Sequence, residues 1–263
     1  MQSPECRALV TGASGGIGQA VARALCGEGA QVLLAGRRME SLHEIARAYP
    51  GQVEVVQADI TTRSGRESVA SAADDLGGLN CLINGAGISD FGLLEHQDEE
   101  TIAALIGLNV TGTLQLTHRL LPVLRRADRA MVVNIGSIFG SIGYPGFSSY
   151  CASKFALRGF SEALRRELAD TRTKVIYIAP RATRTALNSP SVVAMNEDLK
   201  VAMDPPERVA AAVIAAVHAE REETYLGWPE KFFVSLNGLL PRIVDRALRR
   251  QLPTIRRFAG TRN

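Results

Sequence analysis

A doubly wound α/β fold, one domain built on a parallel sheet of about seven strands with helices on both faces, is the architecture this sequence predicts. Three observations carry the prediction. Short aliphatic runs alternate with longer segments of helical period from residue 8 to residue 227. The first such run ends in a glycine-rich turn that leads straight into a helical segment. The composition, 46% hydrophobic and 22% charged, is that of an ordinary soluble globular chain, and 263 residues suffice for one domain with a large core.

The runs ALVTG (8–12), QVLLAG (31–36), VEVVQAD (53–59), CLING (81–85), AMVVNIG (130–136), KVIYIA (174–179) and TYLG (224–227) predict strands, because each is short, apolar and bounded by turn residues. Helical periods over about 16–28, 39–48, 63–76, 98–125, 148–170 and 205–220 supply the crossovers between them. Residues 181–203 read as a long connection. Residues 229–263 read as an apolar-basic extension beyond a 1–228 nucleotide-binding and catalytic domain. Residues 231–263 hold eight Lys or Arg and one Asp, a charge of +7 against −4 for the remainder. A solvated helix face is the commonest meaning of such a charge. The extension also fits a lid over a pocket, a subunit interface or peripheral contact with a membrane surface.

Several classes are set aside. No nucleic-acid motif accompanies the basic residues, and no apolar run approaches the length of a membrane span, since FFVSLNGLLPRIV is short and broken by Asn237, Gly238 and Pro241. The opening MQSPECRALVTG lacks the basic and long apolar regions of a secretory signal, so a cytoplasmic protein is expected. Cys6, Cys26, Cys81 and Cys151 are far apart without metal or redox-pair spacing, which predicts reduced core cysteines and no metal site.

The turn Thr11-Gly12-Ala13-Ser14-Gly15-Gly16-Ile17-Gly18 follows the first strand. Bare backbone there lets N–H groups approach a pyrophosphate, and the helix N-terminus adds partial positive charge. The second strand ends at Gly36, where a carboxylate would otherwise meet the ribose hydroxyls of NAD; Arg37 and Arg38 follow. A guanidinium binds a 2′-phosphate by directional, charge-assisted hydrogen bonds, so the expected cofactor is NADP(H). Downstream, Tyr150 and Lys154 lie four residues apart in a helical segment and share a face, while Ser137 follows a strand. All three converge on the C-terminal edge of the sheet. A phenol titrates near ~10, and a nearby ammonium favours its ionised form, which makes Tyr150 a candidate proton donor to a carbonyl oxygen and Lys154 its tuning charge.

Taken together, these motifs resemble the short-chain dehydrogenase/reductase family, enzymes with a Rossmann-like fold. Its T-G-x-x-x-G-x-G signature is matched at Thr11, Gly12, Gly16 and Gly18, and its Y-x-x-x-K pair at Tyr150 and Lys154. Asp59 stands where the family places an Asp beside adenine. Asn84, Ala86 and Gly87 fit its N-N-A-G segment, with Gly85 a departure. The resemblance covers roughly residues 6–228. It implies that Ser14, Ile17 and Ile60 also contact the nucleotide, with Arg37 at the 2′-phosphate, and that Pro180, Thr183 and Thr185 clamp the nicotinamide end. Arg181 replaces the family's glycine in that segment and leaves open an anionic substrate. It further implies that Ser137 bonds the substrate oxygen, that Lys154 binds the nicotinamide ribose, and that Asn109 holds a water between Lys154 and solvent. A homo-oligomer, dimer or tetramer, is implied as well.

Phe139 and Tyr144 lie in the loop joining Ser137 to Tyr150 and should border an apolar substrate, with Leu187, Val192, Val193 and Met195 as a mobile lid. The expected activity is NADPH-dependent reduction of a ketone or aldehyde on a hydrophobic molecule such as a 3-oxoacyl thioester, a lipid or a polycyclic compound. Oxidation of a secondary alcohol by the same residues is the alternative within enzymes. A catalytically idle NADP-binding regulator is the alternative outside them.

Overall fold

The computed structural model describes residues 5–260, so the extreme ends of the 1–228 and 229–263 segments lie outside the described residues. Strands β1 (Arg7–Thr11), β2 (Gln31–Gly36), β3 (Val53–Gln57), β4 (Cys81–Asn84), β5 (Ala130–Ile135), β6 (Thr173–Ala179) and β7 (Glu223–Tyr225) form one sheet in the order β3-β2-β1-β4-β5-β6-β7. Every pairing is parallel. The seven strands thus fall where the apolar runs placed them. The chain winds outward from β1 to β3 and then returns to β4, so the loops after β1 and β4 part in opposite directions and open a crevice at the carboxyl edge.

Alternation along β1 shows how the sheet is covered on both sides. Ala8 and Val10 pack with Val21, Leu25, Leu42 and Val213 from helices α1 (Gly16–Gly27), α2 (Met39–Ala48) and α8 (Pro206–Ala219). Leu9, between them, packs on the other face with Val69, Leu116 and Leu164 from α3 (Arg63–Asp75), α5 (Thr113–Leu124) and α6 (Ser148–Glu167). A buried polar chain crosses the middle of this second layer. Asn84 Nδ2 donates to Thr117 Oγ1 at 3.0 Å and to Asn134 Oδ1 at 2.8 Å, and Asn134 Nδ2 donates to Ser161 Oγ at 2.8 Å. These bonds tie β4, β5, α5 and α6 together at a fixed register.

The periodic stretch 98–125 is not one regular helix. It forms α4 (Glu99–Ile106) and α5 joined by a π-helical turn at Gly107–Gly112, which carries the buried Asn109. Single π turns recur at functional sites because the extra residue re-aims its neighbours. The connection at 181–203 contains α7 (Pro190–Asp198), capped by Ser189 Oγ accepting from Val192 N–H at 3.4 Å. The extension folds into α9 (Glu230–Leu239) and α10 (Pro241–Ala259), and α10 packs along α7 and α9. Ile255 of α10 is fully buried with Phe147, Cys151, Val192 and Met195.

All four cysteines are free and buried. Among the described residues no helix is long and apolar enough to cross a membrane, and no three His, Cys, Asp or Glu gather as a metal site would require.

Because Ile255 joins α10 to the body of the domain, Ile255→Ala is expected to lower unfolding free energy by about 2–5 kcal/mol through lost burial and a cavity. A reduced urea midpoint at unchanged m-value would show it.

Candidate active site

Backbone approaches backbone at the first βα turn more closely than any side chain would permit. Gly12 has φ +73°, and a Cβ there would sit 2.5 Å from the Gly85 carbonyl oxygen. A Cβ on Gly18 would sit 2.3 Å from the Gly12 oxygen, so α1 can begin only against a glycine pair. Thr11 Oγ1 donates to the Ile83 carbonyl and accepts from the N–H groups of Gly85 and Ala86, at 3.1–3.3 Å, holding the ends of β1 and β4 together. Gly85 is explained by the same contact, since a Cβ there would lie 2.8 Å from the Thr11 oxygen. No side chain caps the start of α1, and no acidic residue stands in its first turn. Its N–H groups face the crevice as an anion site would require. Thr185 reaches this turn from the far loop, its Cγ2 only 2.8 Å from where a Gly16 Cβ would stand.

At the corner beyond β2 the two arginines are placed differently. Arg38 Nη2 donates to the Ser14 carbonyl at 3.4 Å, whereas Arg37 lies near Asp59 and helps hold its carboxyl below the ordinary range. The larger cause of that lowering is Thr61, whose hydroxyl and N–H both bond Asp59 Oδ1, at 2.7 and 2.9 Å. Ile17 lines the cleft. Ile60 is buried in the core beneath α3, with its carbonyl accepting from Arg66. The Asn84 side chain, expected at the nucleotide, enters the sheet, where its Nδ2 donates to Thr117 and Asn134 and its buried Oδ1 has no partner among the described residues. The adjoining Ala86 and Gly87 remain at the crevice. A Cβ on Gly87 would lie 3.1 Å from Asn109 Oδ1 and 3.8 Å from Lys154 Nζ.

Tyr150 and Lys154 stand one turn apart on α6, with Lys154 Nζ 5.6 Å from the Tyr150 ring centre. Ser137, just past the end of β5, lies near enough to the Tyr150 hydroxyl to pull its titration down, while its own Oγ accepts from Phe139 N–H at 3.1 Å. Burial dominates the titration of both α6 groups. It pushes Tyr150 up to about 12 against the opposing pull of Ser137, and it pushes Lys154 down to about 8. The expected lowering of Tyr150 by a neighbouring ammonium is not the leading effect in the folded chain, where desolvation sets the direction of the shift. Lys154 Nζ also donates to the Ile135 carbonyl at 3.1 Å. Asn109 is spent on protein partners. Its Oδ1 accepts from Ile88 N–H, and its Nδ2 donates to the Ile88 carbonyl and to Ser153 Oγ, each at 2.9–3.0 Å. It thereby ties the π turn to α6 beside the catalytic pair.

Tyr177 was not foreseen. It is fully buried in β6, its ring passes between Gly136 and Gly140, and its hydroxyl bonds both the carbonyl and the N–H of Ser137, at 3.2 and 3.4 Å. The only sequence signal was a hydroxyl-bearing aromatic in an otherwise aliphatic strand, together with two glycines flanking Ser137.

A cavity of about 300 Å³ lies over Ser137 and Tyr150. Phe139 and Tyr144 line it as expected, as do Leu187, Val192 and Met195; Val193 is not part of its wall. The rings of Phe139 and Phe147 stand 6.4 and 6.2 Å from that of Tyr150. Pro180, Thr183 and Thr185 form the side towards the nucleotide turn. The remaining wall comes from α9 and α10 through Phe233, Val244, Leu248 and Gln251, the last accepting from the Tyr144 hydroxyl at 2.8 Å. Arg181, thought open to an anionic substrate, is corrected as well. Its guanidinium is taken by buried Asp204 in a two-pronged pair at 2.8 and 3.0 Å, with Glu230 of α9 at 3.3 Å. The arginine thus braces the 181–204 loop against the extension.

Comparison with known proteins agrees with this geometry. The family description "short chain dehydrogenase" matches residues 7–196. Nodulation protein G of Rhizobium sp. (strain N33) is 34% identical over 211 residues, which cover 80% of this chain and 86% of that protein. A short chain dehydrogenase from Burkholderia cenocepacia, solved in complex with NADP, shares the fold with a TM-score of 0.81 at 28% identity, over 94% of this chain and 99% of that one. A short chain dehydrogenase/reductase from Burkholderia phymatum in complex with NAD has a TM-score of 0.82 at 23% identity over 90% and 94%, a likeness of fold.

The Arg181–Asp204 pair supplies a test of how the loop is held. Asp204→Ala strips a nearly buried guanidinium of its two-pronged partner and leaves it only the Glu230 carboxylate, and is expected to cost about 3 kcal/mol, the low end for a broken buried pair. Making the same change in an Arg181→Met background should cost markedly less, and the difference in a double-mutant cycle of chemical unfolding measures the coupling.

Proposed function

This chain belongs to the short-chain dehydrogenase family, and from that premise we propose that it is an NADPH-dependent reductase of a ketone or aldehyde on a hydrophobic molecule. The observation that carries the reading is that Ser137 and Tyr150 stand at the wall of one apolar cavity that abuts the glycine turn, with Lys154 buried one helical turn from Tyr150. The residues present fit a dinucleotide: the turn is a cradle that Cβ atoms at Gly12 or Gly18 would fill, and the start of α1 offers uncapped N–H groups to a pyrophosphate. Pro180, Thr183 and Thr185 would flank the nicotinamide end. Bound there, the nicotinamide supplies the hydride. Arg37 near Asp59 and Arg38 against the Ser14 carbonyl, with Gly36 in place of a carboxylate, favour the 2′-phosphate form.

The chain's own groups do the rest. Ser137 donates a hydrogen bond to the carbonyl oxygen and so stabilises the charge that develops there. Tyr150 delivers the proton to that oxygen. Burial disfavours the phenolate, so Tyr150 is protonated at neutral pH and holds the proton that the reduction requires. Lys154, charged below about 8, offsets the phenolate left behind and offers N–H donors to a ribose. Phe139 and Phe147 exclude water from the transfer and select an apolar neighbour for the carbonyl. The family's dimer or tetramer remains part of this proposal, and sedimentation of the full chain measures it.

Turnover of acetoacetyl thioesters, long-chain aldehydes and polycyclic ketones with NADPH and with NADH is the direct measurement. Tyr150→Phe should cut kcat by about 10²–10⁴-fold with folding preserved. Turnover undiminished by it would overturn Tyr150 as the proton donor, whereas no turnover of any substrate despite NADPH binding would leave the idle cofactor-binding reading. Arg37→Ala and Arg38→Ala, made separately, should raise the KM for NADPH roughly tenfold or more while sparing NADH, each charged bond being worth about 1.5–3 kcal/mol.

The kcat/KM profile for reduction should fall on an alkaline limb near pH 8, where Lys154 loses its proton, well before Tyr150 titrates. A limb displaced towards the ordinary lysine range would contradict this assignment of the groups.

A further inference from the structure

Large apolar side chains at the surface are concentrated in one place. Trp228, Phe232, Phe233, Leu239, Leu240 and Ile243 are exposed by 72, 50, 39, 81, 53 and 50%, all within the span from the end of the sheet to the start of α10. Among the described residues only Leu94, Phe155 and Leu187 are comparably bare. The rings of Trp228, Phe232 and Phe233 stand about 6 Å from one another in sequence, at 6.0 and 5.9 Å, so they form a continuous aromatic ridge. An apolar patch of this kind on a folded domain marks a surface that something covers.

The charges around it identify the occupant. Lys231, Arg242, Arg246, Arg249 and Arg250 are exposed on α9 and α10, and none takes part in an ion pair among the described residues. Against them stand only Asp245 and Glu230, the latter held by Arg181. A second copy meeting this face with its own would bring two such cationic rims together, which like-charge repulsion opposes. An anionic lipid surface answers both features at once, since aromatic rings sit at the headgroup level and arginines pair with phosphates.

We propose that the α9–α10 face docks on an anionic lipid bilayer, with the substrate cavity opening into it. Phe233 and Ala247 are exposed and also line the cavity, as does Leu187 across the mouth. An apolar carbonyl compound dissolved in the bilayer would therefore reach Tyr150 along apolar walls. This access route rests on the reductase reading, whereas the docking itself does not.

Full-length protein is sedimented with sucrose-loaded vesicles of phosphatidylcholine alone and of phosphatidylcholine containing phosphatidylglycerol. Binding should be tighter to the anionic vesicles by about tenfold or more, and salt should weaken it. Phe232→Ser/Leu239→Ser, which touches neither the cavity wall nor the core, should lower the partition by roughly tenfold or more. Arg246→Gln/Arg250→Gln should abolish the preference for phosphatidylglycerol while leaving thermal unfolding unchanged. Absence of vesicle binding by the unaltered chain, or binding indifferent to both pairs of changes, overturns the proposal. So does a lipid-free dimer that Phe232→Ser/Leu239→Ser dissociates in sedimentation velocity, because the face then belongs to a second copy. Each readout is binding without turnover, so it fails or succeeds separately from the reductase activity.

Discussion

Where β1 ends against β4, two backbones lie too close for any side chain between them, and the active cleft is arranged outward from that contact. Gly12 faces the Gly85 carbonyl and Gly85 faces the Thr11 carbonyl, so each strand end needs the other's glycine. Thr11 fills the remaining space with a hydroxyl that satisfies Ile83, Gly85 and Ala86. From there, contact passes both ways. Gly18 against Gly12 sets where α1 begins, and with it the direction of its N–H groups. On the other side, Gly87 lies against Asn109 and Lys154, which places the end of β4 beside the reacting pair. Nucleotide turn and proton-transfer group are therefore positioned by one continuous chain of backbone contacts, with hardly any flexible side chain intervening.

The other half of the site is held by burial and by polar groups with no freedom left. Tyr177 grips the main chain of Ser137 from below through both its donor and its acceptor, and it fits there only because Gly136 and Gly140 leave room for its ring. Asn109 fastens the π turn to α6 through Ser153. The catalytic hydroxyls are thus oriented by groups that are themselves fixed, which is what a preorganised site requires. The same burial sets the titration. It raises the cost of charge on Tyr150 and on Lys154 alike, so the resting pair is biased towards a neutral phenol, and the polarity needed in the transition state comes from Ser137 and the lysine ammonium.

Much of this was legible in the sequence, and what was not has identifiable causes. The strands were readable because a sheet buried on both faces demands uninterrupted apolar runs, as β5 shows along its whole length. The glycine turn and the four-residue spacing of Tyr150 and Lys154 were readable because they are local. Pairs distant in sequence were not: Arg181 and Asp204 are 23 residues apart, and nothing in either neighbourhood announces the other. The course of the Asn84 side chain into the sheet was not legible because a motif gives a residue's position but not the direction of its side chain. The π turn escaped because one extra residue barely disturbs a helical period. Helix α7 did carry a readable signal, Ser189 followed by Pro190 as cap and first residue, but its apolar face is too short to stand out from a loop.

The division of labour along the chain follows from these placements. Residues 7–196, the part that matches the family description, hold Ser137, Tyr150, Lys154 and the whole glycine turn. The far wall of the cavity is built largely beyond that range, from Val201, Glu230, Phe233, Val244, Leu248 and Gln251. The cavity is thus shared between two stretches of sequence, with Phe139, Tyr144, Val192 and Met195 from the first facing α9 and α10 from the second, and Arg181 joins them through Asp204 and Glu230. Helix α10 shows why the second stretch is free to differ. Its inner face supplies apolar bulk at Val244, Leu248 and Ile255 and one acceptor at Gln251, while on its outer side Arg257 pairs with Asp198 and Arg242, Arg246, Arg249 and Arg250 stand exposed. Changes on the inner face alter one wall of the cavity without touching Ser137, Tyr150 or Lys154, so the cavity's shape has a determinant outside the stretch that matches the family.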